Sequence, residues 1–399
     1  MRPAGLELAE IFRQVGPDYR RDHAGALSRA QLRAMSAIAR CRTAALGGHV
    51  EQCDACGHQR IAYNSCRDRH CPKCQSLTRA QWLQDRRAEL LPVEYFHVVF
   101  TVPQQIEAIA FQNKALLYGM LFKAAAQTLL TIAADPRHLG AQIGFIAVLH
   151  TWGQNLLHHP HLHCVVPGGG ISPDGTRWIA CRPGFFLPVR VLSRLFRRLF
   201  LGLLRQAFEG KALKFFNAMA PLQDAQAFEQ FLAPAASAEW VVYAKAPFGG
   251  PEQVLEYLGR YTHRVAISNS RLVDFSEGRV AFRWKDCRRE NQVKVMRLPA
   301  AEFTRRFLLH VLPSGLQRIR HFGLLANRTR EAKLERCRKL LGVAPPASEH
   351  VEDEDYRDRY LRLTGVSLVD CPACKRGRMV CIETLLPRPP ARGPPGGCV

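Results

Sequence analysis

"HPHLHCVVPGGG" (residues 159–170) carries three histidines at alternate positions, His159, His161 and His163, followed by Val165, Val166 and a run of glycines. Successive side chains of a β-strand point to opposite faces, so alternate residues share a face. If residues 161–166 form a strand, His161 and His163 project together while Leu162 enters the core on the other side. Two imidazoles on one pleated face can share a divalent metal. An ordinary strand with two surface histidines has the same pattern, so the stretch needs support from the rest of the chain.

Composition supplies some of it. The chain has 399 residues, room for two or three domains, and 47% of them are hydrophobic, enough for a sizeable core. Its net charge of +22 points to a polyanionic partner, nucleic acid ahead of a membrane surface. Residues 115–134, "ALLYGMLFKAAAQTLLTIAA", come nearest to a membrane span, but Lys123 and Gln127 interrupt them and the alanines suit a buried helix. The opening "MRPAGLELAEIFRQ" lacks the basic start and apolar run of a signal peptide. The expectation is a cytoplasmic protein. In such a chain the 14 cysteines read as metal ligands rather than disulfides.

Five of those cysteines fall in "CDACGHQRIAYNSCRDRHCPKC" (residues 53–74). Two CxxC pairs, Cys53 with Cys56 and Cys71 with Cys74, are separated by fourteen residues and fit one tetrahedral zinc site. Cys66, His58 and His70 lie between them as spare ligands. Arg60, Arg67, Arg69 and Lys73 make the module basic, and Arg67 and Arg69 are candidate DNA contacts. Farther on, Cys371 and Cys374 with Cys381 suggest a minor second site that lacks a clear fourth ligand.

Along the chain, residues 1 to about 48 read as helical, with Ser28 as a cap and apolar spacing at Leu32, Met35 and Ile38. A helix over 75–90 leads to a first core strand in 93–103. Helix follows over 105–134, then a strand over 143–154, a turn, and the histidine strand third. Residues 189–208 form an amphipathic helix with arginines largely off its apolar stripe, 239–247 a further strand, and 264–299 a β-meander. Residues 301–342 read as helical and basic, and the tail after 383 is rich in Pro and Gly. The resulting domains are a helical and zinc-binding DNA-recognition domain (1–90), a catalytic domain (91–342) and a C-terminal extension (343–399).

Tyr257 and Tyr261 are four residues apart, which puts both phenols on one face of a helix. Alone, such a pair suits core packing. Arg260, His263 and Arg264 crowd the same helix end with positive charge, for which packing has no use; Arg260 and Arg264 are further candidate DNA contacts. A phenol, with a pKa of about 10, is a poor nucleophile unless deprotonated in place. A divalent ion on a phosphate oxygen offsets the charge of a phosphodiester and orients in-line attack. A two-histidine metal site with a facing tyrosine therefore describes a nuclease for single strands that keeps one broken end. It would hold a 5′-phosphotyrosine and leave a 3′-hydroxyl, and a second tyrosine would accept another strand.

On these residues the chain resembles the two-tyrosine HUH rolling-circle transposases of the IS91-like insertion-sequence family. The histidine–hydrophobic–histidine motif is His161, Leu162 and His163. The tyrosine motif is "YLGRYTHRVAIS" from Tyr257, and the cysteine module and "FLLHVLPSGLQRIRHFGLLANRTR" (307–330) are similar too. The resemblance implies an α+β fold: an antiparallel sheet with the HUH pair on a central strand, the catalytic tyrosine helix across it, and a small zinc-binding domain before it. It implies a nickase and strand transferase acting on single-stranded element ends and target DNA, with structural zinc and catalytic magnesium or manganese, hard ions suited to phosphoryl chemistry. Its setting would be the bacterial cytoplasm, at the nucleoid. It also implies a third catalytic metal ligand, for which His159 is the expected residue and Gln154 and His97 are the other candidates. A plasmid replication initiator with the same chemistry, or a non-catalytic zinc-dependent DNA-binding regulator, are the alternative functions. Neither a membrane nor a small-molecule substrate is expected.

Overall fold

Leu162 and its neighbours show why the chain folds as it does: on three consecutive strands alternate apolar residues enter one core, and the opposite face carries His97, His150, His161 and His163. The computed structural model describes residues 5–245, 253–254, 256–257, 259, 266–286, 292–344 and 354–388, and it is an α+β structure with antiparallel sheets. It divides into two units. One comprises Met1–Trp82, His263–Val311 and Glu349–Val399; the other comprises Leu83–Thr262 and Leu312–Ser348. This differs from the consecutive blocks 1–90, 91–342 and 343–399, because the meander region and the C-terminal segment join the N-terminal unit.

In the first unit, α1 (Leu8–Asp22) and α2 (Arg29–Arg40) pack together. Ser28 and Gln31 form a capping box at the start of α2, whose Met35 and Ile38 are buried. β1 (Gly48–Cys53) is paired on one side with β2 (Gln59–Tyr63) and on the other with a strand from the far end of the chain, described below. The β-meander is present as β9 (Leu272–Ser276), β10 (Arg279–Asp286) and β11 (Gln292–Pro299). It leads into α8 (Ala300–Leu309), whose Phe307 meets Phe12 of α1 edge-on at 5.3 Å between ring centroids. The helix α10 (Tyr356–Thr364) and strand β13 (Met379–Leu385) complete this unit, and β13 is the outer partner of β1. Helix α3 (Gln75–Ala88) crosses the division between the units.

The second unit is built on a five-stranded antiparallel sheet. Its strands are β3 (Tyr95–Thr101), β4 (Gly144–Trp152), β5 (His158–Pro167), β8 (Val242–Lys245) and β12 (Ile319–Gly323), in the order β12-β4-β5-β3-β8. The histidine strand β5 is thus central. Phe96, Val98 and Phe100 of β3, Phe145, Ala147 and Leu149 of β4, and Leu162, Cys164 and Val166 of β5 share one face and are buried. α4 (Gln104–Gln112), α5 (Lys114–Ala134), α6 (Val189–Glu209) and α7 (Ala225–Ser237) supply the other side of that core. A short ribbon of β6 (Gly169–Ile171) and β7 (Trp178–Ala180) follows β5, and α9 (Arg330–Leu341) contacts β7.

Among the described residues one helix, α5, is long and apolar enough to cross a membrane. Leu117, Tyr118, Leu121, Phe122, Ala125 and Leu129 of that helix are buried in the core, which accounts for its apolar run. Residues 301–342 are not continuous helix, contrary to expectation. "IRHFG" forms the edge strand β12 on β4, between α8 and α9. Pro313 and Gly315 break the helix before it. Gly323, at φ 59°, ends the strand where a Cβ would run into the Ile143 carbonyl, so the chain passes close to β4 only as glycine.

Leu162 has no exposed surface. Leu162→Ala should lower the unfolding free energy by about 2–5 kcal/mol, as core truncations of this size do, with the secondary structure kept. Chemical denaturation followed by circular dichroism measures it; a loss under about 1 kcal/mol would place the side chain outside a close-packed core.

Candidate active site and metal centres

The sheet face opposite the core carries the imidazoles. On β5, His161 and His163 lie two residues apart, and across the ladder His150 of β4 is paired with His161 and Val148 with His163. The possible ligand atoms of His150, His161 and His163 all lie within 4.8 Å of one another. His150 is 2% exposed and His163 7%. Three imidazoles buried so close together would repel one another if protonated, and water is scarce there. Desolvation first, then the neighbouring imidazoles, drives the His163 pKa well below its ordinary value. Desolvation likewise lowers His161 to about 4. Both rings are therefore neutral near pH 7, the form that binds a metal.

Their orientation is also fixed. His161 Nδ1 lies 2.6 Å from the His159 carbonyl. A carbonyl only accepts, so Nδ1 carries the proton and the Nε2 lone pair is left for a ligand role. His163 Nδ1 lies 2.7 Å from Nε2 of His97, a buried residue of β3 on the same face. The His97 ring in turn meets the Tyr257 ring at 5.0 Å between centroids, in a T-shaped contact. Tyr257 is half-buried in a helical stretch with Val254, Glu256 and Gly259. Leu83 lies where a Cβ on Gly259 would be, so this stretch approaches its neighbour closely. Tyr261, Arg260 and Arg264 lie outside the described residues. Arg67 is exposed and Arg69 half-buried, both in the other unit.

The residue expected as a third ligand lies elsewhere. His159 is absent from the imidazole group: its Nδ1 is held 2.7 Å from the Glu107 carboxylate of α4. Gln154 and His97 are not in the group either, and His150 takes the third place. The ladder contains a bulge between His150 and Trp152, which is paired with His158. Read from that end, the register would place His150 opposite Pro160, on the core face. The bulge lies beyond His150, so the regular register that runs from Ile146 keeps His150 on the imidazole face, opposite His161, and only the end of the hairpin is offset.

The cysteines also sort differently from the expectation. Cys53, Cys56, Cys71 and Cys74 do not form one set. Cys71 and Cys74 join Cys41, at the end of α2, and Cys66; Cys53 and Cys56 join Cys371 and Cys374. In the first set the Cys74 sulfur lies 3.4 Å from that of Cys41 and 3.6 Å from that of Cys66. His58 and His70 belong to neither set; His70 is paired with Asp68. Cys381 is exposed.

Comparison with known proteins draws these features together. A family model described as "Putative transposase" matches residues 144–333, and one described as "Transposase zinc-binding domain" matches residues 11–102. A protein of Sinorhizobium fredii (strain NBRC 101917 / NGR234), "Putative transposase y4qJ", is 67% identical over 384 residues, 96% of each chain. The chain belongs to the IS91-like transposase family. A second relative, "Transposase for insertion sequence element IS801" of Pseudomonas savastanoi pv. phaseolicola, is 27% identical over 81% of this chain and 77% of its own. No solved structure matches. Within this IS91-like transposase, the 144–333 match contains His150, His161, His163 and Tyr257, and the 11–102 match contains Cys41, Cys66, Cys71 and Cys74.

His150→Ala should weaken Mn2+ binding by about 100-fold or more, beyond the 10–100-fold typical of losing an outer-shell partner. His159→Ala should change it by less than about tenfold. Isothermal titration of the metal-stripped protein distinguishes them; equal losses would return His159 to the ligand set.

Proposed function

We propose that this transposase nicks one strand of DNA at the ends of its mobile element through a tyrosine and transfers the strand by rolling-circle transposition. One observation supports this reading above the others: three imidazoles converge on one sheet face, and a hydrogen bond and a ring contact through His97 connect them to Tyr257. The donor set suits a divalent ion held by His150, His161 and His163, with magnesium or manganese the ions expected for phosphoryl chemistry. Such an ion, when bound, would neutralise charge on the scissile phosphate and orient it.

The chain's own groups do the rest. His97 holds His163 in place and packs against the Tyr257 ring, so nucleophile and ligand positions are fixed relative to each other. The Tyr257 phenolate oxygen forms a bond to phosphorus, the bond to the 3′-oxygen breaks, and that oxygen leaves as a hydroxyl once protonated. A 5′-phosphotyrosine remains, preserving the phosphodiester energy for rejoining. Tyr261, four residues on in the sequence, would accept a second strand before the first is released. Net charge of +22 favours the polyanionic substrate, with Arg67, Arg69, Arg260 and Arg264 as candidate phosphate contacts. Single strands are the expected substrate, and the bacterial cytoplasm, at the nucleoid, is the expected setting.

A structural zinc completes the reading. Cys41, Cys66, Cys71 and Cys74 fit it, because zinc–sulfur bonds of about 2.3 Å in a tetrahedron separate sulfurs by about 3.8 Å. Two imidazole-face substitutions together, His161→Ala with His163→Ala, should abolish nicking of a single-stranded element end while leaving binding to that strand within about threefold. Tyr257→Phe with Tyr261→Phe should lower nicking by roughly a thousandfold or more. A gel-based nicking assay with a parallel binding assay reads both, and a double tyrosine variant that still nicked would remove the phenols from the mechanism.

A further inference from the structure

Cys53, Cys56, Cys371 and Cys374 come from opposite ends of the chain, yet all four sulfurs lie within 4.8 Å of one another. The two CxxC segments are built alike. In the first, the Cys53 amide donates to the His58 carbonyl at 2.9 Å and the Gly57 amide to the Cys53 carbonyl at 3.1 Å. In the second, the Cys371 amide donates to the Gly377 carbonyl at 2.9 Å and the Lys375 amide to the Cys371 carbonyl at 3.0 Å. The residue after each second cysteine, Gly57 or Lys375, has positive φ, 72° and 56°. Backbone amides also point at sulfur: those of Ala55 and Cys56 at Cys53, and that of Gly377 at Cys374, each at 3.4 Å. Amides directed at sulfur stabilise thiolates, the form zinc binds.

Sulfur spacing decides between a disulfide and a metal. Cys53 lies 3.7 Å from Cys374, and Cys56 lies 3.7 Å from Cys371. A disulfide needs about 2.05 Å. The edge of a zinc–thiolate tetrahedron is about 3.8 Å, from bonds of about 2.3 Å. The apolar support is slight: among the described residues, Cys53, Cys371 and Met379 form the buried cluster here, with Cys374 against it. So small a core does not hold two chain ends together by itself. Gly377 is required on steric grounds, because a Cβ there would run into the Cys53 sulfur.

We infer that these four cysteines form a second structural zinc site, of zinc-ribbon type, that clasps the C-terminal strand β13 onto the N-terminal module. The β1–β13 ladder, from Gly48 opposite Leu385 to Cys53 opposite Met379, delivers both knuckles to one end of the sheet. The matched zinc-binding region, 11–102, holds only two of its four ligands. A chain ending before Cys371 therefore loses both this metal and the outer neighbour of β1.

Elemental analysis of the purified full-length protein tests this. Two zinc ions per chain are expected. Cys371→Ser with Cys374→Ser should leave one, and Cys66→Ser with Cys71→Ser should also leave one, which separates the two sites. One zinc in the unsubstituted protein, or two in the Cys371, Cys374 variant, overturns the inference. Should that variant fail to fold, thiol alkylation of the unsubstituted protein with peptide mapping gives the answer. Cys53, Cys56, Cys371 and Cys374 should be shielded until chelator is added, while the exposed Cys381 reacts at once. Reaction of Cys371 and Cys374 as fast as Cys381 before chelation overturns it.

Discussion

Antiparallel pairing of β4 with β5 is the constraint on which the rest depends. Leu149 sits opposite Leu162 and His150 opposite His161, so one register sends leucines into the core and imidazoles to the other face. A slip of one residue would exchange those faces and bury the histidines against α5 and α6. Burying polar rings is costly unless they are paired or coordinated. The apolar face, with Leu162, Cys164 and Val166 fully enclosed, is what holds the imidazole face in place. The stability of the core and the geometry of the site are thus two sides of one ladder.

Much of this was legible in the sequence, for a physical reason. The period of two in "HLHCVV" and the apolar runs of β3 and β4 are backbone properties, so the central strand and its neighbours followed from alternation alone. α6 was equally legible from its apolar stripe, and Ser28 from its capping pattern. β12 was not. Its five residues sit in a basic stretch between two helices, and only β4, far away in sequence, makes them a strand. His150 is not legible from its own strand, because only the register between β4 and β5 sets it opposite His161. The one available signal was "LHTW" in the strand expected to form a hairpin with the histidine strand. His159 shares the right alternation, but its ring is paired with Glu107 on α4.

The cysteines show a different limit. CxxC pairs are local and easy to see, whereas which pairs meet is a property of the fold. Cys53 and Cys56 lie near Cys71 and Cys74 in sequence, yet β1 carries the first pair toward β13, and α2 brings Cys41 to the second. Cys371 and Cys374 find their partners in Cys53 and Cys56, which proximity in sequence would pair with Cys71 and Cys74. A zinc site drawing its ligands from both ends of the chain makes the N-terminal unit depend on segments more than three hundred residues apart. That unit is discontinuous in sequence, and it takes in residues 263–311 as well as the C-terminal segment.

The central claim is that a tyrosine takes the 5′ phosphate of a nicked strand. It is tested most directly by incubating the protein and Mn2+ with a single-stranded oligonucleotide from the element's own end, labelled at its 3′ terminus in one sample and its 5′ terminus in another. Denaturing gels then show where the label goes. The account predicts a protein band carrying the 3′-terminal label, with the 5′-terminal label on a free fragment ending in a 3′-hydroxyl. Label on the protein from the 5′ terminus, or cleavage with no label on protein from either, would contradict it.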